Sequence, residues 1–127
     1  MVAPRLKVTV LISGRGSNLG ALIDACATSN FPAEIVRVIS NETNAGGLVK
    51  AAKAGIPTAA VPHHNYPDRR SFEADLDKEI RAAGTQLIAL AGFMRLLTEG
   101  FVDKWRDRLI NIHPSLLPAF KGLNTHK

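Results

Sequence analysis

A chain of 127 residues, 46% of them hydrophobic, makes one soluble domain, 1–127, with no room for a second ordinary core. Its net charge of +5 is scattered along the chain with one tyrosine and one tryptophan, which speaks against nucleic acid and suits phosphorylated or carboxylate-bearing small molecules. No apolar run is long enough for a membrane, residues 1–7 are too short and polar for a secretory signal, and the single Cys26 excludes an intrachain disulfide, so the cytoplasm is the expected compartment.

Residues 8–12 are a largely β-branched run and predict a buried strand. Leu19, Leu22, Ile23 and Cys26 recur at helical spacing, which predicts a helix over 18–28 with Cys26 packed rather than reactive. A second strand is predicted over 35–39. A helix over 45–54 follows, stopped by Gly55-Ile56-Pro57. Residues 58–61 predict a third strand. Residues 70–83 predict a helix with Phe72, Leu76 and Ile80 on one stripe, closed by Gly84. A fourth strand is predicted over 86–91, a short helix over 99–105 and a fifth strand over 109–113. Strands alternating with helices predict an α/β, doubly wound, mostly parallel sheet with helices on both faces. The expected strand order is 3-2-1-4-5, with the switch point between strands one and four.

Ligands of such sheets bind beyond the carboxyl ends of the strands. The unusual segments all fall there: 14–18, 40–44, 63–65, 93–95, and Asn111 with His113. Gly14-Arg15-Gly16-Ser17-Asn18 joins a strand to a helix. Its backbone N–H groups and the helix N-terminus suit an anion, and the same residues also suit a tight turn with Ser17 or Asn18 as the cap. It is a poor dinucleotide fingerprint, since Leu19 stands where a third glycine belongs and no acid ends strand two. Arg69 opens a helix at the same edge and suits either phosphate or solvent, with its neighbour Arg70 as the one-residue alternative. His63 and His64 are adjacent and should point different ways, with no Cys or acid at ligand spacing in sequence, so no metal is expected. Asn111 and His113, two apart on a strand, share one face. A carboxamide and an imidazole side by side suit oxyanion stabilisation and proton transfer. The pair alone also suits a turn asparagine and a half-buried core histidine. Ser115 lacks the glycine elbow of a serine nucleophile.

Four stretches together, 10–18, 90–97, 111–118 and 122–126, resemble the phosphoribosylglycinamide formyltransferases, folate-dependent enzymes of purine synthesis. The Asn-x-His-x-Ser-Leu-Leu-Pro element resembles several users of formylated tetrahydrofolate, and Gly-x-Gly-Ser-Asn with Gly-Phe-Met-Arg narrows the choice to the glycinamide ribonucleotide branch. The resemblance implies a Rossmann-like formyltransferase fold. It implies formyl-tetrahydrofolate as co-substrate, no metal, glycinamide ribonucleotide as acceptor, and a monomer or homodimer. It assigns Asn111 and His113 to catalysis and Gly16, Ser17, Asn18 and Arg69 to the substrate phosphate. Met94, Arg95 and Leu97 fall to the folate pterin, and Arg95 also to the folate's glutamate tail.

The family's third catalytic group is a downstream aspartate, and no Asp or Glu follows Asp107 here. The chain is therefore expected to be a fragment truncated at its C-terminus and, alone, to transfer formyl groups poorly or not at all. Strand five as an open apolar edge supports the same expectation. Three alternatives differ in partner. A formyltetrahydrofolate deformylase carries a regulatory domain ahead of this one, and a methionyl-tRNA formyltransferase carries a tRNA-binding domain behind it. A non-catalytic module would bind phosphate or nucleotide through 14–18 and do no chemistry.

Overall fold

The computed structural model describes residues 5–14, 17–28, 31–94 and 97–112. The elements run β1 (Leu6–Ile12), α1 (Ser17–Cys26), β2 (Ala33–Ser40), α2 (Gly46–Lys53), β3 (Thr58–Ala60), a 3-10 turn (His63–Asn65), α3 (Arg69–Ala82), β4 (Leu87–Leu90), α4 (Glu99–Lys104) and β5 (Leu109–Asn111). All four strand pairings are parallel, and the order is β3-β2-β1-β4-β5, as the alternating pattern predicts. The expected last residue of strand five, His113, lies outside the described residues.

Period-two alternation along β1 divides the core. Val8, Val10 and Ile12 face a layer that includes Leu19, Leu22, Cys26, Val38 and Ala51. Leu11 faces the opposite layer, with Ile39, Phe72, Leu76, Ile80, Phe101 and Trp105. Helices α1 and α2 thus cover one face, and α3 and α4 the other. Thr9, buried between them, bonds the hydroxyl of Thr85, which donates to the Ile80 carbonyl at 2.6 Å. The two buried hydroxyls are therefore satisfied. Cys26 is buried, and that burial pushes its thiol pKa up despite nearby Arg5, in keeping with a packing role.

Asp68 caps α3 by accepting from the Ser71 N–H at 2.8 Å. Past its other end Gly84 takes φ 75°, a left-handed conformation that side chains resist, which is why the helix stops where the glycine predicts. Buried Glu73 of α3 accepts from the backbone N–H of Thr98 at 2.7 Å and from its hydroxyl. Thr98 in turn caps α4. One carboxylate therefore fixes where α4 begins. Among the described residues, no helix is long and apolar enough to cross a membrane.

Asp77, on the same helix, accepts from Trp105 Nε1 at 2.8 Å and from Arg81 Nε at 2.7 Å. Burial alone pushes its carboxyl pKa up. The hydrogen bonds from Arg81 and Trp105 outweigh that and hold it below the usual carboxylate value. A depressed folded pKa adds stability above the unfolded value and loses it as pH falls through the folded one. Asp77→Asn is accordingly expected to flatten the fall in stability below about pH 4, measured by urea unfolding across pH. An unchanged acid limb would contradict that role.

Candidate active site

The carboxyl ends of the strands converge on one edge. Ser13 and Gly14 follow β1, Asn41 and Glu42 follow β2, and the His63–Asn65 turn follows β3. Gly92 and Met94 follow β4, and Asn111 ends β5. Gly92 turns the chain away from the sheet with φ 76°. An open cleft of about 400 Å³ lies here, lined by Ser13, Gly14, Asn41, Glu42, His63, Gly92 and Met94.

A hydrogen-bonded chain ties the loops of the cleft together. The Met94 N–H donates to Ser13 Oγ at 2.8 Å, and Ser13 Oγ donates to Asn41 Oδ1. Asn41, only 2% exposed, presents its Nδ2 to His63 Nδ1 at 2.9 Å. The same Nδ1 stands 3.3 Å from the Asn41 carbonyl, so two polar atoms of Asn41 meet that ring nitrogen. The Gly14 carbonyl accepts from the Gly47 N–H at 3.0 Å, which ties the first loop to α2. A Cβ on Gly14 would meet nothing within 4 Å, so space is open beside that backbone.

The expected site residues that lie among the described residues stand at different distances from this cleft. Met94 lines the cleft and is 80% exposed. Arg69 is exposed at the start of α3 and lines an adjoining pocket of about 230 Å³ with Tyr66, Phe72 and His63. His63 borders both spaces, so Arg69 adjoins the cleft rather than lining it. Asn111 is exposed at the end of β5, in register with Leu90 of β4 and one strand beyond the cleft. Ser17 begins α1, and Asn18 is half-buried in its first turn. Leu97 is half-buried against the Leu11–Phe72–Trp105 layer, so its side chain belongs partly to the core. Gly16, Arg95 and His113 lie outside the described residues.

Sequence reasoning assigned no role to Ser13 and Asn41. Their only signal is a polar residue placed directly after a buried strand. It also left His63 and His64 without an acid. In space Glu42 supplies one: Oε1 is 3.1 Å from His64 Nε2, and Oε2 is 4.0 Å from His63 Nδ1.

A family model described as formyl transferase matches residues 6–127. The chain belongs to the formyl transferase family. Among related formyl transferases, it is 43% identical over 122 residues to the phosphoribosylglycinamide formyltransferase of Escherichia coli, covering 95% of this chain and 58% of that protein. It is 53% identical to the trifunctional purine biosynthetic protein adenosine-3 of Drosophila pseudoobscura pseudoobscura, covering 98% of this chain and 9% of that protein. The structure of the phosphoribosylglycinamide formyltransferase from Coxiella burnetii, in complex with CHES, superimposes with a TM-score of 0.83 at 50% identity. That match covers 97% of this chain and 58% of the other. The chain thus spans less than two thirds of each of these formyl transferase relatives, and the five-stranded fold is shared with the solved enzyme.

Proposed function

We propose that the protein carrying this chain transfers a formyl group from formyl-tetrahydrofolate to the amine of glycinamide ribonucleotide, in purine synthesis in the cytoplasm. The observation that carries the reading is the 43% identity to an enzyme named for that reaction, sustained over 95% of this chain. The position of Asn111 and of the loop from Gly14 at the ligand-binding edge supports it.

In this reading residues 1–127 act as one unit with four tasks. Backbone N–H groups of Gly16, Ser17 and Asn18, at the N-terminus of α1, hold the substrate phosphate, with Arg69 as a second partner. Met94, Arg95 and Leu97 wall the folate pterin, Leu97 from its half-buried place. The substrate amine attacks the formyl carbon, so a nitrogen–carbon bond forms and negative charge gathers on the formyl oxygen. Asn111 and His113 stabilise that charge. His113 also moves the proton from the attacking amine to the departing folate nitrogen as the old carbon–nitrogen bond breaks.

The test is acceptor dependence. Release of tetrahydrofolate is expected only when glycinamide ribonucleotide is supplied. Release into water alone would instead indicate a deformylase. Release dependent on methionyl-tRNA would indicate a tRNA formyltransferase. Binding of the ribonucleotide with no release under any condition would leave a non-catalytic phosphate-binding module.

A further inference from the structure

We propose that Glu42, His63 and His64 form a binding site for a divalent transition metal of the zinc, nickel or copper class. A carboxylate oxygen of Glu42, Nδ1 of His63 and Nε2 of His64 all lie within 4.8 Å of one another. Ligands held about 2.1 Å from a tetrahedral zinc stand roughly 3.4 Å apart. Glu42 Oε1 is 3.1 Å from His64 Nε2 and Oε2 is 4.0 Å from His63 Nδ1, on either side of that value. Glu42 and His64, with side chains 42% and 62% exposed, have room to rotate toward a common ion.

The scaffold explains why three residues distant in sequence meet. Strands β2 and β3 are parallel neighbours, with Ser40 paired to Ala60, so their following loops leave the sheet side by side. The His63 N–H donates to the Asn41 carbonyl at 3.4 Å, and its ring meets Phe72 edge-on at 6.4 Å. Adjacent histidines diverge on an extended strand. On the 3-10 turn their ring centroids are instead 4.1 Å apart.

The chemistry favours a borderline metal over a hard one. Two imidazoles suit zinc, nickel and copper, whereas magnesium and calcium prefer all-oxygen sets. A metal at His63 Nδ1 would take the place of that atom's contacts with Asn41 Nδ2 at 2.9 Å and with the Asn41 carbonyl at 3.3 Å. The alternative, an ion pair between Glu42 and protonated His64, joins two solvent-accessible side chains and is worth little. Three protein ligands leave further coordination positions, and the 62% exposed His64 side chain opens them to solvent. The site shares Glu42 and His63 with the cleft but does not depend on formyl transfer.

The experiment is calorimetric titration of the protein with Zn²⁺, Ni²⁺ and Mg²⁺, repeated on His64→Ala, Glu42→Ala and, as a control, His126→Ala. Exposed His64 is replaceable without loss of core packing, and matched circular dichroism of the metal-free variants checks this. The expected result is one equivalent of Zn²⁺ or Ni²⁺ bound by the parent and by His126→Ala, with Mg²⁺ far weaker. His64→Ala and Glu42→Ala should each lose more than roughly 100-fold in Zn²⁺ affinity, beyond the cost of losing an outer partner. Wild-type affinity in both variants would overturn the site, as would absence of Zn²⁺ binding by the parent. So would equal binding of Zn²⁺ and Mg²⁺.

Discussion

Replacing Trp105 with alanine is expected to cost about 3–5 kcal/mol of stability, the range for removing a large buried aromatic. Trp105 is 1% exposed and follows α4 at its C-cap. It packs in the layer with Phe72, Leu76, Ile80 and Phe101, beneath the switch-point strands. Its ring also carries two cations, with the guanidiniums of Arg81 and Arg108 at 5.0 and 4.5 Å from the centroid. Truncation opens a cavity, strips both cations of their aromatic face and leaves Asp77 with one fewer donor. Trp105→Phe keeps most of the volume and is expected to cost far less. Urea unfolding of both variants separates packing from hydrogen bonding. A loss under about 1 kcal/mol for Trp105→Ala would mean that the layer collapses around the gap.

Asn111→Ala is expected to slow formyl transfer by about 10²–10³-fold, as loss of one oxyanion donor does elsewhere. Asn111 is exposed at the last position of β5, so its replacement removes a polar group without hollowing the core. Glycinamide ribonucleotide affinity should change little, since its phosphate is assigned to the α1 end of the edge. Asn111→Asp should slow transfer at least as much, because a carboxylate beside a developing oxyanion repels it. Parent-like turnover in Asn111→Ala would remove this residue from the chemistry. Loss of binding together with turnover would make it a substrate-holding residue instead.

Much of the fold was legible because the patterns are local. Residues 8–12 declare a buried strand by their β-branched side chains, and Gly84 declares a helix end by the backbone it permits. The alternation of elements carries the strand order. Boundaries set by pairing rather than by side chains were less legible. β1 starts at Leu6 and β2 at Ala33 because those two residues pair backbone to backbone, although Leu6 is exposed. Trp105 read as the last residue of a helix, and its depth comes from contacts with α3, 28 residues away for its bond to Asp77.

The site was legible as an edge but not as a network. Topology places five loops together, so a doubly wound pattern predicts where ligands bind. It does not say that Ser13 hands a hydrogen bond from the Met94 backbone to Asn41, a link spanning 81 residues on one side and 28 on the other. Glu42 was invisible as a partner of His63 and His64 because sequence spacing measures distance along the chain, and parallel strands bring together loops 22 residues apart. Leu97, assigned to the folate slot by resemblance, is half-buried against the layer that includes Leu11, Phe72 and Trp105, a packing contribution that position in the chain does not announce.

The measurement that bears most directly on the strand-edge site is formyl transfer by His113→Ala in the protein carrying this chain, with glycinamide ribonucleotide affinity measured in parallel. The expected result is a fall in kcat of about 10²–10⁴-fold, the usual contribution of a positioned acid–base group, with affinity for the ribonucleotide essentially unchanged. An unchanged kcat would contradict the assignment of proton transfer to His113.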